Sequence, residues 1–166
     1  MRTIALRMGA LFCLIATFGA SAAASDKAAI QAQVEAYRKA FEARNVDAIM
    51  AVYVPGDELF VFDAVPPREY VGAAAYRKDW EGLFALFPGP IKDKIEELNI
   101  TVAGPVAYSH RVEDVVFTKK DGSQVRLVTR ETDVYRKTNG KWLVVQEHVS
   151  FPVDLATGKP DLLSKP

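Results

Sequence analysis

The sequence predicts an α+β fold in which three N-terminal helices pack on one face of a curved antiparallel sheet, giving a cone-shaped cavity between them. Three observations carry this. Apolar residues recur at helical spacing through the first half of the chain, a period of two replaces it after Pro88-Gly89-Pro90, and two hairpin signals divide the later alternating stretches.

In order along the chain, Ile30, Val34, Tyr37 and Phe41 form one apolar stripe, predicting a first helix over 28–44 with Ser25 and Asp26 as candidate caps. Asn45 reads as its stop, and Val46, Ile49, Met50 and Tyr53 mark a short second helix that Pro55-Gly56-Asp57 ends. Residues 58–63, rich in Leu, Phe and Val, read as a strand, and Pro66-Pro67 forces a loop. A third helix follows over 72–87, with a bulky stripe of Tyr76, Trp80, Leu83, Phe84 and Phe87. Long strands are predicted over 91–103, 106–118, 124–136 and 142–151, with turns at Gly104-Pro105, Asp121-Gly122 and Asn139-Gly140.

Composition narrows the class. The chain has 166 residues, 49% of them hydrophobic, and 21 basic against 21 acidic residues, which fits one packed domain and not a disordered chain. The balanced charge lacks the basic footprint of a nucleic-acid binder. At the start, Arg2 and Arg7, an apolar run over 8–20 and the small residues of Ser21-Ala22-Ala23-Ala24-Ser25 have the layout of a secretory signal peptide over 1–24. The run is too short for a membrane anchor, so the mature chain is expected in the periplasm or outside the cell, without stable membrane insertion. Cleavage after Ala24 removes two Arg and Cys13, leaving a domain over 25–153 and an extended tail over 154–166 with net charge −2. With no cysteine left, disulfides and thiol nucleophiles are excluded.

Several polar residues fall where the pattern predicts an interior face. Tyr37 lies in the stripe of the first helix and Asp63 ends the first strand. Glu131 and Asp133 alternate with Arg126, Arg130 and Arg136, so the two acids point away from the solvated face. His148 shares a predicted face with Trp142 and Val144, and His110, Tyr53, Trp80 and Phe84 complete the residues expected around a ligand pocket. No two histidines have ligand spacing on one element, so neither a metal nor another cofactor is expected.

Tyr37 within Val34-Glu35-Ala36-Tyr37-Arg38-Lys39-Ala40-Phe41, Asn45-Val46-Asp47-Ala48-Ile49, Asp63, and Glu131-Thr132-Asp133-Val134-Tyr135-Arg136 through Trp142 together resemble the nuclear transport factor 2-like superfamily, in its SnoaL-like, ketosteroid-isomerase-like branch. The closing strand, residues 142–150, is similar as well. The resemblance implies a cystatin-like cone fold. It also implies Tyr37 and a protonated Asp133 as an oxyanion-binding pair and Asp63 as a proton-shuttling base. Two extra residues before Asp63, the Pro-Pro loop after it and the polar residues His110, Glu131 and His148 depart from the isomerase pattern. The expected function is therefore binding of a small apolar carbonyl compound, with isomerase, dehydratase or cyclase chemistry. A non-catalytic periplasmic capture module and an oligomerisation domain are the alternatives, because this superfamily hosts all three. A homodimer is the expected assembly, through the outer sheet face carrying Arg126, Val128, Arg130, Thr132 and Val134.

Overall fold

The computed structural model describes residues 14–165. Residues 1–13 of the predicted signal segment lie outside that range. Helix α1 (Leu14–Glu42) starts well before the predicted position, because the alanines over 20–24 are strong helix formers and carry the helix backwards. Asp26 consequently does not cap it. Its Oδ1 accepts from Trp142 Nε1 at 3.1 Å and from Lys137 Nζ at 2.6 Å, tying the helix to the sheet. The predicted stripe is the buried one: Ile30, Val34, Tyr37 and Phe41 are all inside.

Arg44, at φ 54°, breaks the helix. Asn45 begins the next element instead of stopping the first: its Oδ1 accepts from the Ala48 N–H at 3.0 Å and caps α2 (Val46–Met50). Tyr53 falls beyond this short helix, where the backbone pairs with Val144: Val54 N–H donates to Val144 O and Val144 N–H to Val52 O, both at 2.9 Å. A 3₁₀ turn over Gly56–Glu58 leads into β1 (Phe60–Phe62), and a two-residue strand, β2 (Tyr70–Val71), which is too short to show a period, pairs back onto it. Gly72, at φ 86° and with its N–H bonded to Leu59 O at 2.8 Å, turns the chain into α3 (Ala73–Leu86).

The remaining strands are β3 (Ile91–Ala103), β4 (Val106–Thr118), β5 (Gln124–Thr138) and β6 (Lys141–Ser150). The six-stranded sheet has the order β2-β1-β6-β5-β4-β3. All neighbours are antiparallel except β1 and β6, which run parallel, a pairing that the expected antiparallel meander did not contain. The sheet is curled and unclosed, with α1 across β3, as in an α+β cone fold. Pairing shifts at Glu96 in β3 and at Val145 in β6, each an extra residue that bends its strand.

The tail is more ordered than a simple extension. Val153 pairs with Pro160, and Leu162 O accepts from the Val128 N–H at 2.7 Å along the edge of β5 that β6 leaves open. Lys165 then reaches Asp114 at 2.6 Å, and Val128 is buried in spite of its outward phase. Among the described residues no helix is long and apolar enough to cross a membrane.

Candidate functional site

Between α1, α3 and the concave side of the sheet lies a cavity of about 490 Å³. Its walls are aromatic because both helices turn bulky residues inward. Tyr37 and Phe41 come from α1, Tyr76 and Trp80 from α3, and Phe117 from β4. The rings brace one another, with centroids 6.0 Å apart for Tyr37 and Trp80, 5.4 Å for Phe41 and Trp80 and 5.9 Å for Phe41 and Phe117. Phe84 packs behind them, 5.8 Å from Trp80, and is not part of the cavity wall.

The polar floor follows from strand alternation. On β4 the inward positions are Ser109, Arg111, Glu113, Val115 and Phe117, and on β5 they are Thr129, Glu131, Asp133 and Tyr135. Register sets Arg111 directly opposite Glu131 and Ser109 opposite Asp133. The buried Arg111 guanidinium therefore donates to three carboxyls: to Glu113 Oε1 through Nε at 2.5 Å, to Asp133 through Nη1 and to Glu131 through Nη2. The Tyr37 ring covers it, its centroid 5.3 Å away.

One positive charge cannot balance that many buried acids. Burial, reinforced by neighbouring acids, holds Glu131 well above the usual carboxylate range and pushes Glu113 up to about 7. Asp93 on β3, buried with both carboxyl oxygens unpartnered among the described residues, is pushed up to about 7, first by burial and then by Glu131.

The sequence did not single out Glu147, which is 2% exposed and lines the cavity. Tyr76 donates to its Oε1 at 2.5 Å and Tyr53 to its Oε2 at 2.7 Å. Burial, then the charges of Asp133 and Glu131, raise it well above the normal carboxylate range. Its position depends on the bulge at Val145. Trp142 and Val144 point inward, the extra residue reverses the phase, and Glu147, Val149 and Phe151 face the cavity. His148 is thereby turned out, exposed on the opposite face with its ring centroid 5.6 Å from that of Phe62. This corrects its expected place on the pocket wall. His110, an outward residue of β4 paired with Thr132, is likewise exposed and away from the cavity. Only a partial signal for the phase change was present: residues 142–145 are all apolar and show no phase, and Val149 and Phe151 then fall on odd positions.

Asp133 faces inward, but it does not line the main cavity. Its Oδ2 takes bonds from Arg111 and, at 2.9 Å, from the Tyr135 hydroxyl, and it borders a small inner void along with Tyr53. The expected protonated donor beside Tyr37 is thus an acid engaged by an arginine that the periodicity left unassigned. Asp63, at the end of β1, is at the cavity mouth with Val65 and Asp79. Burial and then the Asp79 charge push its carboxyl up to about 6, although it accepts from the Ala64 N–H at 2.5 Å. Tyr70 donates to Asp79 at 2.5 Å and fixes that neighbour. Among the described residues, no group of three His, Cys, Asp or Glu side chains is arranged to hold a metal ion.

Residues 30–154 match the family model of the SnoaL-like domain. The chain belongs to the SnoaL-like family. Among solved structures it is similar to an NTF2-like protein of unknown function from Pseudomonas putida KT2440, with 28% identity over 86% of this chain and 98% of that one and a TM-score of 0.77. A candidate dehydratase of the NTF2-like family from Streptomyces avermitilis is 14% identical over 77% and 97% of the two chains, with a TM-score of 0.69. A ketosteroid isomerase-like protein from Erwinia carotovora atroseptica SCRI1043 is 21% identical over 74% and 93%, with a TM-score of 0.63. The last two likenesses concern the fold alone. No curated protein matches the chain.

Proposed function

We propose that this SnoaL-like protein is exported, binds a small apolar carbonyl compound in the aromatic cavity and transfers a proton within it. One observation carries the reading: the cavity is bordered at its mouth by Asp63, pushed up to about 6, and on its floor by the more deeply buried Glu131 and Glu147, both raised by that burial. In this reading Asp63 is the ionised partner at neutral pH, and the two buried glutamates are the partners that keep a proton. Pairs of acids driven apart in this way supply a base and a donor.

In the proposed step the Asp63 carboxylate takes a proton from the carbon beside the carbonyl. The C–H electron pair forms the enolate and negative charge moves to the oxygen. Tyr37, kept protonated by its burial, and the neutral Glu131 and Glu147 are the available hydrogen-bond donors for that oxygen. Returning the proton to another carbon gives isomerisation, and expelling a β-hydroxyl as water, protonated as it leaves, gives dehydration.

The test is deuterium incorporation at the α-carbons of 2-tetralone, an apolar cyclic ketone, followed by NMR in D₂O. Wild type is expected to accelerate exchange, and Asp63→Asn to lose roughly 10²-fold or more of it. Binding without any acceleration points instead to non-catalytic capture. Export predicts a mature N-terminus at Ser25 in protein recovered from the periplasm of a Gram-negative host, and a full-length N-terminus there overturns it. A homodimer through the outer sheet face, where Val106 and Tyr108 are 44% and 47% exposed, is checked by sedimentation.

A further inference from the structure

Behind the floor of the cavity lies a void of about 10 Å³, the size of one water molecule. Asp133, Arg111, Tyr37, Tyr53 and Glu147 border it. Asp133 is 1% exposed and its Oδ1 has no hydrogen-bond partner among the described residues, although Oδ2 is fully engaged. A buried carboxyl oxygen of this kind ordinarily has a partner, and ordered water is the usual one where protein supplies none. The void also has a second neighbour. Tyr37 and Glu147 border both the cavity and the void, whereas Gln33 and Val52 border both the void and an open groove beside Gly140 and Trp142. Cavity, void and groove thus adjoin one another through shared side chains.

We propose that the void binds a water molecule, hydrogen-bonded to Asp133 Oδ1, that passes protons between Glu147 and the solvent groove at Gln33. This is a route to the cavity floor that does not use the cavity mouth. The water donates one hydrogen to Asp133 Oδ1. When the Gln33 side chain swings off Val52 O, water from the groove reaches the void water; as the void water's oxygen receives a proton from Glu147, it releases one of its own to that groove water, and reprotonation runs the same transfers in reverse, so no charge accumulates on the relay. Gln33 is the gate and carries no proton: its Nε2 donates to Val52 O at 3.0 Å and holds the outer wall. Asp133 acts here as a positioning residue through the water. The catalytic use of the route, resetting Glu147 while a ligand fills the mouth, rests on the proton-transfer reading, whereas the water site and the exchange do not.

The carboxyl of Glu147 is read by its infrared C=O band, assigned by its loss in Glu147→Gln, on mixing the full chain into D₂O with and without saturating naphthalene bound in the cavity. Wild type is expected to exchange this proton at the same rate in both cases. Gln33→Leu is expected to exchange normally when the cavity is empty and roughly tenfold or more slowly with naphthalene bound, a split that a merely destabilised fold does not give. Asp133→Asn is expected to slow exchange in the naphthalene complex too. Equal rates for Gln33→Leu and wild type in that complex, or no Glu147 band at pH 7, overturn the proposal. A high-resolution crystal structure provides an independent decision: a water within hydrogen-bond distance of Asp133 Oδ1 supports the relay, and a dry void refutes it. Loss of tetralone exchange in wild type would sink the enzymatic reading while leaving these outcomes intact.

Discussion

At the scale of single residues, charge balance is the controlling fact. Arg111 serves Glu113, Glu131 and Asp133 at once, so its removal leaves three buried acids facing each other. Arg111→Met is expected to destabilise the fold by about 3–5 kcal/mol, measured by urea unfolding at pH 7. Asp93 is the opposite case, a buried carboxyl whose side chain bonds to nothing among the described residues. Its folded-state value near 7 exceeds the ordinary 3.8, so between those values the folded chain holds a proton that the unfolded chain releases, and stability falls as pH rises. Asp93→Asn is therefore expected to raise the melting temperature at pH 8 and to change it little at pH 4. Equal shifts at both pH values would contradict this.

At the scale of elements, the phase of β6 matters most. The bulge at Val145 decides that Glu147 and not His148 faces the cavity. Both histidines are exposed, so diethylpyrocarbonate is expected to modify His110 and His148 without altering naphthalene binding; a loss of binding would put one of them back in the cavity. Long elements were legible in the sequence: β3 and β4 have the limits that alternation predicts, and the stripe of α1 is the buried one. The inward phase of Glu131 and Asp133 was legible for the same reason. What was not legible depends on single insertions or on distant partners. One extra residue reverses a strand face without changing its composition. Arg111 has the composition of a solvated residue, and its burial makes sense only once Glu131 is set beside it by register. Asp26 has the appearance of a cap, and only Trp142 and Lys137, far along the chain, explain why it is not one.

At the scale of the whole molecule, an apolar cone with acids along its floor couples function to stability. Asp63, Asp93 and Glu113 all have folded-state values near 6 to 7, above those of an unfolded chain. Their linkage has one sign: the protein is expected to unfold at higher temperature at pH 5 than at pH 8 in calorimetry, a dependence that Asp93→Asn flattens. The same burial that costs stability at high pH raises Glu131 and Glu147, and in the proposed function it leaves them as proton donors beside the Asp63 base. The central claim is that division of labour, and ¹³C NMR titration of the side-chain carboxyls tests it directly. The account predicts that Asp63 titrates near pH 6 and that Glu131 and Glu147 each titrate well above the ordinary carboxylate range. Titration of all three near the ordinary values, at about pH 4, would contradict it.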